Sequence, residues 1–512
     1  EMPSAEVQAD YDKLCEKLRK LTHLSGTMEL LGWDEQVMMP TGAEEARGNQ
    51  KAALAGVVHD AKVDKEIGVL VEKLWPHRET LGEYERANVR EAKESWERAS
   101  RMSSELASRE ALLESKAYSA WVTARETNDY PSFAPLLGEM LELQKEIYRT
   151  TKPDMLLYDA AIDAFDPKMK EPRLVEIFKA VKDDLAPLIK NIAAKVAADP
   201  SLHEVAAPLR GGPDWDPVQQ AAMCKEIAGA IGFDFKLGRM DVSVHPFTGG
   251  SHPTDVRITT RYSEENWIEG VAGTIHECGH AMYEQGRSKE HMDLPVSEAL
   301  GMAVHESQSL LWERMVGQSL AFWEWATPIV HKYFPHTKSC TAQDFYRAVN
   351  MVRCSLIRVD ADEVTYPLHV ILRFEIERDL FSGKVSVDDL PTVWNARMEE
   401  YLGIVPGSDK EGVLQDVHWS GGAFGYFPSY SLGAMMATQL FNQAKEEMPS
   451  LEADIRKGEF APLKKWLNAK VHDKGSMPGS ADALLEAVTN KPLDPSIFVK
   501  YLEDKYSDLY KL

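Results

Sequence analysis

Val271-Ala272-Gly273-Thr274-Ile275-His276-Glu277-Cys278-Gly279-His280 sets two histidines four residues apart, with a glutamate directly after the first. On an α-helix, positions i and i+4 share a face, so both imidazoles reach one metal ion. Glu277 is turned roughly 100° from His276. That direction suits a general base that takes a proton from water beside the metal. Thr274, Ile275, Ala281 and Met282 suit a buried helix, and no proline interrupts it before Gly286. Cys278 falls on the far face and reads as a small buried hydrophobe. Gly279 costs about 1 kcal/mol of helix propensity, which predicts that something packs closely there. The pentapeptide still needs context: a chain with 15 histidines produces it by chance in roughly a few per cent of cases.

The third ligand is sought on the next helix. Ser297 reads as its N-cap and Glu298 as an acidic residue in its first turn, followed by Leu300, Met302, Ala303 and Val304, then His305-Glu306-Ser307-Gln308. Glu306 is a carboxylate embedded in apolar sequence, costly to bury unless it binds a cation. With two neutral imidazoles it gives a site that keeps a position open for water. The plainer reading of Glu306 is a salt-bridged surface residue. His305 is the runner-up ligand, and neighbouring helical positions diverge by about 100°, so only one of the two faces the metal.

Five motifs in order extend the match: His245-Pro246-Phe247, Asp255-Val256-Arg257-Ile258-Thr259, the pentapeptide, His305-Glu306-Ser307-Gln308, and Gly412-Val413-Leu414-Gln415-Asp416-Val417-His418-Trp419. With Gly32-Trp33-Asp34 and Met39-Pro40 they resemble the carboxypeptidase Taq family of metallocarboxypeptidases over nearly the whole chain, with no departure at the motif positions. The resemblance implies a mainly helical fold and a zinc- or cobalt-dependent exopeptidase that removes single C-terminal residues. It also implies a homodimer with a long groove holding the catalytic site.

Composition agrees. The net charge of −23, from 58 basic and 81 acidic residues, argues against nucleic-acid binding. Five scattered cysteines read as reduced thiols of a cytoplasmic enzyme. No apolar run of membrane-spanning length and no export leader is expected. Apolar spacing predicts helices over 5–25, 43–75 and 80–125, with breaks near Met39-Pro40 and Trp75-Pro76. The charge-rich segment 85–117 reads as a solvated helix, or more sharply as a movable arm. The expected organisation is a single domain over 1–512, with a subdomain border near the turn-rich 208–217 and a catalytic part at about 238–433.

Between Gly238 and Tyr262 the pattern alternates. Met240, Val242 and Val244 make one strand, Val256 and Ile258 another, and Gly249-Gly250-Ser251-His252-Pro253 reads as the turn between them. A sheet edge beside the metal helix would pair with an extended peptide, with His245 and Arg257 at the strand ends. A chain-terminal carboxylate calls for a bidentate arginine. The candidates are Arg358, in the segment where the resembled family places that role, and Arg257; pairing with Asp362 and with Asp255 respectively is the structural alternative. The glycine-rich stretch 412–433 reads as an active-site loop, with His418, Tyr426 and Tyr430 as candidate oxyanion donors and Asp416 as an orienter of a ligand histidine.

The reading is therefore a mainly α metallopeptidase body with a small β-sheet next to the metal helix and a long substrate groove. His276, His280 and Glu306 hold one Zn2+ or Co2+ per subunit, and Glu277 is the base. Its partner is a peptide with a free C-terminus, not nucleic acid or a membrane. Two alternatives stand beside it: an oligopeptidase cutting inside short peptides, and a helical binding protein with a structural metal.

Overall fold

A computed structural model describes residues 3–512. Two compact units emerge from the chain. The first draws on the segment ending at Ala99, on Val205–Val349 and on Met436–Pro492; the second comprises Ser100–Glu204, Asn350–Met435 and Leu493–Leu512. One crossing, between Glu204 and Val205, falls just before the turn-rich stretch at 208–217.

The first unit opens with the helices Ala5–Val37, Glu44–Lys62 and Lys65–Leu74, broken at Met38-Met39-Pro40 and at Trp75, where proline denies the helix a donor. In Lys65–Leu74, Ile67, Leu70, Val71 and Leu74 form one buried stripe at i, i+3, i+4 and i+7. That stripe packs with Tyr11, Leu14 and Leu18 of the first helix and with Ala87, Val89 and Ala92 of helix Glu83–Arg101. Those positions, with Leu106 and Ala117 in the second unit's helix Ser104–Thr127, give the charge-rich segment 85–117 a buried side.

The sheet has three strands in the order β1-β3-β2: β1 (Gly238–Val242), β2 (Thr248–His252) and β3 (Asp255–Thr260). β1 runs parallel to β3 and β2 antiparallel to it, with Thr248 opposite Ile258. This corrects the expected turn at Gly249–Pro253: Thr248–His252 is itself a strand, and only Pro253-Thr254 turns. Glycine composition misled there, because Gly250 sits at φ +130, where a Cβ would strike Asp255 O at 2.0 Å. The central strand supplies the buried face through Val256 and Ile258, whereas Val242 and Val244 are exposed.

β3 packs on the helix Trp267–Gln285. Trp267 anchors the start of that helix, stacked on Trp215 at 4.6 Å and edge-on to Trp323 at 6.0 Å, with its indole N–H donating to Leu209 O at 2.9 Å. Such aromatic pairs each add about 0.5–1.5 kcal/mol beyond their burial.

In the second unit the helices Tyr130–Thr151, Glu171–Ala198, Tyr366–Phe381, Leu390–Leu402 and Pro495–Tyr510 dominate. Helix Tyr366–Phe381 is buried nearly all round, including Arg373 and Glu377. No helix among the described residues is long and apolar enough to cross a membrane.

Candidate active site

Helix Trp267–Gln285 buries Thr274, Ile275, Cys278, Ala281 and Met282, which leaves His276 and His280 on one face with ring centroids 4.9 Å apart. Glu306 comes from the next helix, Met302–Leu310. Its Oε2 lies 3.3 Å from His280 Nε2 and 3.9 Å from His276 Nε2. Among the described residues these three are the one group of histidine, cysteine and carboxylate side chains able to share a cation, with donor atoms all within 4.8 Å of one another. Tetrahedral zinc at bond lengths of about 2.0–2.1 Å sets neighbouring ligand atoms about 3.4 Å apart, so the spacing fits.

Gly279 lets the two helices meet. A Cβ there would lie 2.5 Å from Gln308 O and 2.6 Å from Ser309 Cα, the close packing that its place in the helix implies. The start of the second helix differs from the expected one. Pro295–Ser297 is a short 3-10 turn, Glu298 is extended, and the helix begins at Met302 after Gly301 at φ 146. Ser297 does not cap it; a glycine conformation does the turning.

The outer nitrogens of both histidines are held. His276 Nδ1 lies 2.7 Å from Glu313 Oε2, on a π-helical continuation at Leu311–Val316. His280 Nδ1 lies 2.6 Å from His305 Nδ1, and His305 Nε2 lies 2.8 Å from Glu284 Oε1, while Arg287 donates to the other oxygen, Glu284 Oε2, at 2.9 Å. One tautomer set satisfies the chain: His280 donates to His305, which donates to Glu284. That set turns both Nε2 atoms inward, and with the imidazoles neutral, as metal binding requires, it leaves their lone pairs free. His305 is thus engaged at both ring nitrogens, by His280 and by Glu284, and stands outside the group of three.

Electrostatics favour a cation. Burial opposes charge on His276, yet Glu306 and Glu313 outweigh it and raise the imidazole to about 10. Burial would raise Glu306, but His276 and His280 hold it down at about 2. His280 is lowered by its burial. Carboxylates therefore dominate the site.

Glu277 is buried at 6% exposure, and Thr248 Oγ1 donates to its Oε2 at 2.5 Å. Nothing in the sequence marks Thr248 beyond its place after His245-Pro246-Phe247. Glu313 was equally hidden, although it lies two helical turns beyond Glu306. His245 is exposed before β2, and Arg257 is paired with Asp255 at 2.8 and 2.9 Å while stacked over Trp33 at 4.5 Å.

Arg358, His418, Tyr426 and Tyr430 gather in the second unit. Arg358 donates to Asp416 Oδ1 at 3.0 and 2.9 Å and to Tyr366 OH at 2.6 Å, and lies over the Tyr430 ring at 4.8 Å. Arg373, fully buried, donates to Asp416 Oδ2 at 2.6 Å and to Gln415 at 2.8 Å. Asp416 is therefore clamped between two guanidiniums, not directed at a ligand histidine. Asp362, the expected partner of Arg358, instead accepts from the backbone of Arg353, Val364 and Thr365. Burial would raise Asp416, but Arg373 and Arg358 hold it well below the usual carboxylate range. His418 shares a hydrogen bond with Tyr430 at 3.2 Å, and burial beside the arginines lowers it to about 4. Tyr426 stands 5.3 Å from His418, ring to ring.

Glu377 anchors the following loop: it accepts from Trp419 Nε1 at 2.7 Å, Gly425 N at 2.8 Å and Tyr158 at 3.0 Å.

Comparison with known proteins agrees with this geometry. A family model described as carboxypeptidase Taq (M32) metallopeptidase matches residues 13–506. Thermostable carboxypeptidase 1 of Thermus thermophilus is 39% identical, over 98% of this chain and 99% of its own. Metallocarboxypeptidase 1 of Trypanosoma cruzi superposes with a TM-score of 0.92 at 39% identity, covering 97% of this chain and 99% of that one. The M32 carboxypeptidase of Deinococcus radiodurans gives 0.93 at 34%, covering 98% and 100%. With this cluster of His276, His280 and Glu306 and these relatives over almost its full length, the chain belongs to the carboxypeptidase Taq (M32) metallopeptidase family.

Proposed function

We propose that this metallocarboxypeptidase releases single residues from the free C-terminus of peptides with Glu277 as its general base. The observation that carries the reading is the convergence of His276, His280 and Glu306 within 4.8 Å, with Glu277 one residue along the same helix. A divalent ion held by those three, zinc or cobalt by the chemistry of the donor set, would supply Lewis acidity to lower the pKa of water and polarise a carbonyl. Glu277 takes the proton of the attacking water and returns it to the leaving amine. Glu313 and His305 keep the imidazoles aimed.

Arg358 is our choice to read the terminal carboxylate. Its cluster of two arginines and one aspartate carries one positive charge in excess, whereas Arg257 is neutralised by Asp255. His245 is assigned to binding the peptide, and His418, Tyr426 and Tyr430 to donating to the developing oxyanion. The family match spans both units, so the whole chain is proposed to act as one carboxypeptidase, assembled as a homodimer. All five cysteines are free, which supports a reducing, cytoplasmic setting.

Mass spectrometry of digests of an N-blocked peptide tests the activity. Sequential release of one free amino acid supports it; dipeptides or internal fragments would move the assignment to an oligopeptidase.

A further inference from the structure

The Glu277 carboxylate has two oxygens, and the described residues engage one of them. Thr248 Oγ1 stands 2.5 Å from Oε2, within the range of about 2.5–2.7 Å for a hydroxyl donating to an ionised carboxylate. The same hydroxyl lies 3.1 Å from the Glu277 main-chain oxygen. Both acceptors belong to one residue, so the hydroxyl stays tied to Glu277 whichever it serves. Among the described residues Thr248 is the one hydrogen-bond donor to that carboxylate.

The donor is itself fixed. Thr248 opens β2 opposite Ile258, which is buried in the central strand. The residue before it is locked to Thr259 from both sides: Phe247 N donates to Thr259 Oγ1 at 3.0 Å, and Thr259 N donates to Phe247 O at 2.9 Å. β3 packs directly on the helix that carries Glu277. A β-branched side chain also has few rotamers to choose from. The hydroxyl is therefore held by the same strand and helix that place the glutamate.

We propose that Thr248 is a positioning residue for peptide hydrolysis: it pins Oε2 of Glu277, fixes the plane of the carboxylate, and leaves Oε1 as the atom that takes and returns the proton. Without the hydroxyl, a buried carboxylate loses its donor and rotates about its terminal bond, and the proton-accepting oxygen is no longer aimed. The proposal rests on Glu277 being the base.

The test uses the full chain loaded with zinc and four variants: Thr248→Val, Thr248→Ser, Glu277→Gln and the double variant T248V/E277Q. Turnover and KM are read on a blocked peptide, zinc affinity by competition with a chelator, and folding by thermal unfolding. Thr248→Val should lower kcat about 10–100-fold, the usual effect of losing a supporting hydrogen bond at a metal site, while KM, zinc affinity and unfolding temperature hold. Thr248→Ser, which keeps the hydroxyl, should recover most of the rate. In the double variant the valine should add no further loss to Glu277→Gln, because both changes act through one carboxylate. Wild-type kcat in Thr248→Val with an inactive Glu277→Gln overturns the role of Thr248 alone. So does a loss of rate that follows zinc or stability and that serine fails to rescue. An active Glu277→Gln overturns the reading of Glu277, and this proposal with it.

Discussion

Gly279→Ala puts the helix crossing at the metal site to a direct test. On an isolated helix the change is favourable by about 1 kcal/mol. Here the new Cβ meets Gln308 O at 2.5 Å and Ser309 Cα at 2.6 Å, where ordinary contact begins at 3.4 Å. The atoms in the way are backbone, so the two helices must separate by about 0.9 Å, the difference between the contact distance and 2.5 Å. Overpacking of this kind costs about 1–3 kcal/mol, which offsets or exceeds the propensity gain. The greater effect falls on the ligands. Glu306 lies two residues before Gln308, and its Oε2 is only 3.3 Å from His280 Nε2, so parting the helices stretches the triad. Zinc affinity should fall about 10–100-fold, in the range seen when the support of a ligand is disturbed. Chelator competition gives the affinity, and thermal unfolding with and without zinc gives the stability. A variant that binds zinc as tightly as the parent and unfolds no earlier would refute the argument.

Removing Glu313 (Glu313→Ala) should weaken zinc by about 10–100-fold by freeing His276 Nδ1, read by the same competition. Asp416→Ala leaves two buried guanidiniums facing each other and should cost about 3–5 kcal/mol, read as a lower denaturation midpoint in urea. Glu377, buried, is raised from 4.5 to about 7. The folded state therefore binds an extra proton across that interval, and this group's contribution to stability declines as pH rises from about 4.5 to about 7. In Glu377→Gln that part of the slope should vanish, as urea midpoints at pH 5 and pH 8 will show. Chelation should abolish activity while far-ultraviolet circular dichroism persists; collapse of the helical signal would indicate a structural metal instead.

The convergence of His276, His280 and Glu306 was legible because helical spacing turns i and i+4 into a shared face, and because Glu306 was the carboxylate in otherwise apolar sequence. The tight contact at Gly279 could be read from its propensity cost. What the sequence hid depends on partners distant along the chain. Asp416 is fixed by Arg358 and Arg373, 58 and 43 residues upstream, and local pattern carries no trace of that pairing. Thr248–His252 reads as a turn by composition, yet pairing with β3 makes it a strand, and the glycines serve the close approach of backbones. Ser297 has the chemistry of a helix cap, but the path of the chain delays the helix to Met302. Glu313 and Thr248 are ordinary residue types, and only the fold gives them a histidine and a glutamate to hold.

The account turns on Glu277 as the base at a three-ligand metal centre. The most direct measurement is the turnover and metal content of purified Glu277→Gln beside the parent enzyme. The expected result is a full complement of zinc with kcat lower by several orders of magnitude, on the order of the loss seen when a catalytic base is removed. Near-parental turnover in the zinc-loaded variant would contradict it.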